Sequence, residues 1–142
     1  MPIWKKTFNT EKFCQNAPLG GAARSLGIEL SEVGDDFIIG RMPVDERTTQ
    51  PFGLLNGGAS CLLAETLGSI GANLCIEEEN SFAVGGSLHA SHLRPADKGF
   101  VTGTARPKHL GRKSHVWEID IKNDEQKTIC LVVFHASVVQ GK

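Results

Sequence analysis

The segment with the greatest influence on the fold of this chain is a long apolar run that follows a glycine-containing turn. It extends from Gly57 to about Ile76, and Glu65 is its single charged residue. The length of the run favours a helix over a strand. Small and apolar residues lie on all faces of this helix, so we expect it to be buried on most sides.

Strand-like patterns lie on both sides of the central helix. After a short helix predicted near residues 11–16, two runs rich in β-branched and aromatic residues are separated by the turn Gly34-Asp35-Asp36. Four further strand patterns follow from Phe82, and one of them, "HVWEIDI", places its aromatic and aliphatic Trp and Ile side chains on one face. This order predicts an α+β domain in which an antiparallel sheet curves around the helix.

Chain length and charge restrict the classes of function. A chain of 142 residues with 40% hydrophobic content fits a single domain, residues 1–142. The 15 basic and 16 acidic side chains nearly balance, which argues against a nucleic-acid partner. No segment has the apolar length of a signal peptide or a membrane span, so we expect a cytoplasmic protein without a membrane partner. The cysteines form no CxxC pair, which fits reduced thiols: Cys14, Cys61, Cys75 and Cys130.

Glu65 needs a reason for its position, because an ionised carboxylate is costly to desolvate unless it is paired or hydrogen-bonded. One explanation is structural, either a narrow solvent-facing seam or an ion pair with a residue such as Arg94. The other is functional, a general base or nucleophile held in a cleft. Ser69 lies one helical turn after Glu65 on the same face, where its hydroxyl can hold a water or a substrate group. This neighbour favours the functional explanation.

The helix start, "NGGAS", has the properties of an oxyanion hole. Backbone N–H groups there lack intrahelical partners, and glycines let a ligand come close, while Gln50 offers an amide to a carbonyl oxygen. Gly57 and Glu65, however, are separated by about 12 Å along a helix. Both must lie within ~3.5 Å of one reacting carbonyl group. We therefore expect a C2 dimer in which each site combines Glu65 of one copy with the helix start of the other.

Three stretches carry a resemblance to a known family: "MPVDERTTQPFGLLNGGASCLLAETLGSIGANLC", "HASHLRP" and "KHLGRKSHVWEIDI". From Trp4 onward the chain resembles the bacterial acyl-CoA thioesterases of the hotdog fold. It is most similar to the branch of 1,4-dihydroxy-2-naphthoyl-CoA hydrolases and enterobactin-pathway proofreading thioesterases. The resemblance implies an antiparallel sheet wrapped around a long central helix, assembled as a homodimer and usually as a homotetramer.

The resemblance also implies a role for each residue of the central motif. Glu65 would be the catalytic carboxylate, acting as nucleophile or as general base. Gly57 would be the backbone oxyanion donor, Gln50 a helper at the thioester carbonyl, and Ser69 the hydroxyl near the point of attack. The chain departs from the family at Asn56, where the family has histidine. Asparagine can form hydrogen bonds but cannot carry a proton in the physiological range, so it either substitutes in part or lowers turnover.

Coenzyme A is expected as part of the substrate, without a separate cofactor or a metal ion. The resemblance implies that its phosphates and adenosine contact segments near two glycine-containing loops, where Arg94, Lys108, Arg112 and Lys113 supply cations. His89 and His92 lie three apart on a strand and should point to opposite faces, which argues against a metal site. We expect Phe82 to line the acyl pocket. The resemblance implies the following residues for binding the coenzyme A part: Gly85, His92, Leu93, Arg94, Pro95, His109, Leu110, Gly111, Arg112, Lys113 and Ser114.

Three functions fit these features. The first is hydrolysis of an aromatic acyl-CoA, or of an acyl group on a carrier protein, to acid and thiol. A broad acyl-CoA hydrolase with medium-chain preference is the second. The third is a hotdog protein that binds or senses acyl-CoA without hydrolysing it, through the loss of the histidine at Asn56.

Overall fold

One long helix and a six-stranded antiparallel sheet form the body of the protein, as the sequence predicted. The computed structural model describes residues 1–141. The sheet has the strand order β1-β2-β4-β5-β6-β3, with every neighbouring pair antiparallel. The elements are α1 (Thr10–Gln15), α2 (Gly20–Ser25), β1 (Glu29–Val33), β2 (Ile38–Pro43), α3 (Gly57–Leu74), β3 (Ser81–His92), β4 (Phe100–Leu110), β5 (Ser114–Lys122) and β6 (Thr128–Gln140).

Helix α3 packs against the inner face of the sheet, and glycines on α3 allow the close approach. A Cβ atom added at Gly68 would lie 2.5 Å from the Phe134 ring, and one at Gly71 would lie 2.6 Å from the Trp117 ring. Both rings are fully buried. The small residues that the sequence scatters along α3 therefore serve as contact points for large side chains of β5 and β6.

The alternation predicted for β5 is confirmed. Trp117, Ile119 and Ile121 are fully buried against α3, whereas Glu118 on the other face is exposed. The predicted N-terminal helix is also present as α1. The sequence interpretation missed α2, whose six residues contain two glycines and only one buried side chain, Ala23. Such a short helix has no periodicity that would predict it.

Strand β3 is one edge of the sheet and is 12 residues long. Phe82 and Val84 on this strand are 45% and 40% exposed, so the edge carries apolar surface.

Within residues 1–141, no helix is both long and apolar enough to cross a membrane.

Candidate active site

The start of α3 presents backbone donors to solvent. Asn56 is the N-cap, and its side-chain oxygen accepts a hydrogen bond from the N–H of Ala59 at 3.2 Å. Its own N–H donates to the carbonyl oxygen of Thr48 at 2.8 Å, which fixes the helix start to the preceding loop. In the described part of the chain, the N–H groups of Gly57 and Gly58 donate to no protein acceptor. These are the free donors that an oxyanion hole requires.

Gln50 lies on a tight loop beside the helix start. The loop is closed by a hydrogen bond from the N–H of Gln50 to the carbonyl oxygen of Leu54 at 2.8 Å, and Gly53 adopts a positive φ of 81° in it. The side-chain oxygen of Gln50 accepts hydrogen bonds from the N–H groups of Phe52 and Leu54. With its oxygen held in this way, Gln50 has its NH2 group available as a donor.

A cavity of about 340 Å3, which we call the helix-start cavity, joins these groups to the end of β3. The imidazole of His92 covers Gly57, since a Cβ atom added at Gly57 would lie 2.9 Å from Nε2. A side chain at position 57 would contact this ring, which would have to shift to make room. The cavity is lined by Gln50, Leu54, Leu55, Gly57, Ser60, His92, Leu93, Arg94, Pro95 and Ile129.

The carboxylate of Glu65 is half-buried and lies against the backbone of β3. A Cβ atom added at Gly85 would overlap Oε2 of Glu65 and lie 3.1 Å from its carboxyl carbon. Gly85 thus contacts the catalytic candidate itself, in addition to any contact with coenzyme A. No hydrogen bond or ion pair within residues 1–141 involves the Glu65 carboxylate. Arg94, named above as a structural partner, makes no ion pair with Glu65 in the described chain and lines the helix-start cavity.

Glu65 opens into a second cavity of about 610 Å3, the Glu65 cavity. Ser69 lines it beside Glu65, as their spacing predicted. Phe82 is not among its residues, so in the single chain the strand near Phe82 does not line this cavity. The N-terminal segment does so instead, which the sequence interpretation missed. The lining residues are Lys6, Phe13, Pro18, Leu19, Leu62, Glu65, Thr66, Ser69, Ile70, Asn73 and Leu74.

Asn73 fixes α3 to β3 close to the Glu65 carboxylate. Its side-chain oxygen accepts from the N–H of Ala83 at 2.8 Å, and its NH2 group donates to the carbonyl oxygens of Ser69 and Ala83. The sequence interpretation overlooked Asn73. A signal was present, because Glu65, Ser69 and Asn73 are polar residues at four-residue spacing on one face of a largely apolar helix.

The two cavities share no lining residue. Of the predicted substrate-binding residues, His92, Leu93, Arg94 and Pro95 line the helix-start cavity, and none lines the Glu65 cavity. His92 pairs with Cys130 on β6, whereas Gly85 pairs with Ala136. Six residues along a strand correspond to about 20 Å. The turn after β4 lies at the same end of the sheet as Gly85. Ser137 on β6 pairs with Ser114 on one side and with Val84, the neighbour of Gly85, on the other. Residues 109–114 line neither cavity.

Other reactive groups nearby do not form a competing site. Burial raises the pKa of the Cys61 thiol above its ordinary value, and the negative charge of Glu65 raises it further. A thiol with a raised pKa is a poor nucleophile near neutral pH. His89 pairs with Val133 and His92 with Cys130, without a bulge between them, so the two imidazoles lie on opposite faces as predicted. Within the described chain, no three His, Cys, Asp or Glu side chains are grouped to hold a metal ion.

Comparisons with known proteins agree on one family. Residues 52–130 match the family model of the thioesterase superfamily. A crystal structure of a thioesterase from Haemophilus influenzae is 47% identical, superposes with a TM-score of 0.89, and the match covers 97% of this chain and 95% of that one. The proofreading thioesterase EntH of Cronobacter turicensis is 44% identical, with 90% of this chain and 92% of that protein covered. The 1,4-dihydroxy-2-naphthoyl-CoA hydrolase of Escherichia coli is 41% identical over 90% of this chain and 93% of that protein.

Proposed function

Because this chain belongs to the thioesterase superfamily and is a thioester hydrolase, we propose that it hydrolyses aromatic acyl-CoA thioesters at a site shared by two copies. The observation that carries the proposal is the separation of two complementary half-sites in one chain. Donors for a carbonyl oxygen lie in the helix-start cavity, and the carboxylate lies in the Glu65 cavity. Two α3 helices facing each other around a two-fold axis bring each half-site to its complement.

The reaction at such a shared site follows from its donors and its carboxylate. The N–H of Gly57 and the NH2 group of Gln50 donate to the thioester oxygen and stabilise the negative charge that develops on it. Glu65 of the other copy either removes a proton from water, which attacks the carbonyl carbon, or attacks that carbon itself to form an anhydride that water then cleaves. In both routes the C–S bond breaks, and the thiolate takes up a proton as the free acid forms.

The Glu65 cavity supports an aromatic acyl group as the substrate. Its walls are mostly apolar, with Phe13, Leu62 and Ile70 among them, and Ser69 and Asn73 add polar groups next to the carboxylate. A volume of about 610 Å3 is in the range that accommodates small organic ligands. The name of one relative, a 1,4-dihydroxy-2-naphthoyl-CoA hydrolase, also fits an aryl thioester. Coenzyme A enters as part of this substrate, and the proposed chemistry uses no metal ion.

Mixing two inactive variants tests the shared site. Glu65→Gln removes the carboxylate, and Gly57→Pro removes the N–H donor. Proline suits the first position of a helix, and Asn56 already has the extended backbone, with ψ at 131°, that a residue before proline adopts. Gly57→Ala is the matched control, because it adds the same Cβ atom beside His92 but keeps the N–H.

We expect each of the two variants to lose at least ~10²-fold in kcat for benzoyl-CoA. Unfolding and refolding the two variants together should restore about a quarter of the wild-type activity, since half of the random dimers contain one intact site. If each chain holds a complete site, the mixture stays inactive and the proposal of a shared site fails.

A profile of substrates decides among the remaining alternatives. Hydrolysis of benzoyl, hexanoyl and octanoyl esters, each as coenzyme A and carrier-protein thioesters, separates an aromatic hydrolase from one with medium-chain preference. Binding of benzoyl-CoA by calorimetry without release of thiol, in the unchanged chain and in Asn56→His, would indicate the sensing protein and contradict the proposed hydrolysis.

A further inference from the structure

We propose that His92 is a catalytic residue of the helix-start cavity, where its imidazole N–H donates a hydrogen bond to the thioester carbonyl oxygen. This inference rests on the proposed hydrolysis and identifies a donor that the sequence interpretation assigned to binding coenzyme A instead. In this chain, such a donor would supply the imidazole that is absent at position 56.

The main support for this role is the position of the His92 side chain next to the start of α3. His92 is the last residue of β3 and pairs with the buried Cys130, so its side chain lies on the inner face of the sheet, toward α3. Its Nε2 and Cε1 atoms lie 2.9 Å and 3.1 Å from the place where a Cβ atom on Gly57 would be. The polar edge of the imidazole therefore faces the first residue of the helix, whose N–H is the proposed oxyanion donor.

His92 is free to act as a donor, whereas its neighbour Asn56 is engaged in the helix cap. The side-chain oxygen of Asn56 accepts from the N–H of Ala59, and Asn56 itself is exposed outside the helix-start cavity. In the described residues, the side chain of His92 makes no hydrogen bond and no ion pair, although its ring lines the cavity with Gln50 and Gly57. A neutral imidazole has one N–H donor, and an oxyanion gains most from donors that are already in position.

The alternative role for His92 is a contact with the nucleotide part of coenzyme A. That part of the substrate is far from the reacting carbonyl, so the two roles predict different effects on substrates that lack it. The thioester of benzoic acid with N-acetylcysteamine keeps the thioester and has no nucleotide or phosphate.

The experiment measures kcat and KM for benzoyl-CoA and for the N-acetylcysteamine thioester in the unchanged chain, Glu65→Gln, His92→Ala and His92→Gln. His89→Ala is the matched control, because His89 lies on the same strand, is exposed and faces away from α3. We expect His92→Ala to lower kcat by ~10²-fold for both substrates with little change in KM, and His92→Gln, which retains an N–H donor, to lower it by less.

Three outcomes contradict the inference. If kcat of His92→Ala stays within about twofold of that of His89→Ala, the donor role is wrong. If the loss occurs only with benzoyl-CoA and as a higher KM, His92 binds the nucleotide part instead. In both cases the proposed hydrolysis stands as long as the unchanged chain turns over and Glu65→Gln does not. An unchanged chain that hydrolyses neither substrate overturns the proposed function together with this inference.

Discussion

Gly85 controls where the Glu65 carboxylate can lie, because the carboxylate occupies the space of a side chain at that position. A methyl group at Gly85 must displace the carboxylate. At the adjacent Gly86, a Cβ atom would lie 3.4 Å from the nearest atom, the carbonyl oxygen of His135, which is an ordinary contact. The two neighbouring glycines therefore differ in whether an added side chain would displace the Glu65 carboxylate.

We predict that Gly85→Ala lowers kcat for benzoyl-CoA by ~10- to 10²-fold, since a displacement of about 1 Å at a reacting group has effects of this size. Gly86→Ala should leave kcat unchanged. Steady-state kinetics with both variants, together with melting temperatures to verify folding, provide the measurement. Equal kcat values in the two variants would show that the contact between Gly85 and Glu65 does not position the carboxylate.

Single residues were predictable from the sequence where their type was unusual for its surroundings. A carboxylate in an apolar helix singled out Glu65 as a candidate, and a glycine pair after an N-cap singled out Gly57. Gly85 and His92 were known only through the resemblance, as contacts for coenzyme A. Their contacts with Glu65 and Gly57 join residues far apart in the chain, so neither spacing nor periodicity could predict them.

At the scale of the element, α3 combines a weak intrinsic helix propensity with close packing. Glycine costs about 1 kcal/mol relative to alanine in a helix interior. At Gly68 and Gly71, however, a Cβ atom would overlap the rings of Phe134 and Trp117. The packing of the sheet on α3 therefore outweighs the propensity of the isolated helix.

We predict that Gly71→Ala destabilises the protein by about 1–3 kcal/mol, because the added methyl group forces Trp117 out of its place in a filled core. Gly21→Ala in α2 is the matched control, since no atom lies within 4 Å of its added Cβ and its φ is not positive. That substitution should stabilise by about 0.5–1 kcal/mol. Urea denaturation of both variants measures the difference, and equal stabilities would contradict the role given to the Trp117 contact.

At the scale of the whole molecule, the unpaired edge of β3 is the candidate surface at which the two sheets of the proposed dimer would join. An edge strand of 12 residues with exposed apolar side chains is a template for strand pairing. We predict that Val84→Lys weakens the dimer and lowers activity, because a charge on an edge strand opposes pairing with another copy. Leu131→Lys on the interior strand β6 is the control, since Leu131 is 40% exposed, as Val84 is.

Sedimentation velocity and activity at matched concentrations measure both effects. A Val84→Lys protein that sediments as the unchanged dimer would indicate that the copies associate elsewhere. Assembly of two such dimers into a tetramer stays a prediction.

The amino-acid sequence by itself determined the order of the strands around the central helix and the burial of α3, and it led to the proposal of Glu65 as the reactive group. These features depend on local propensity, periodicity and the cost of a buried charge, all of which are properties of neighbouring residues. Only the tertiary structure decided that Gly85 supports Glu65, that His92 covers Gly57, and that the N-terminal segment lines the Glu65 cavity. Those contacts depend on how distant strands pair and how closely helix and sheet pack, and the sequence does not record the resulting distances.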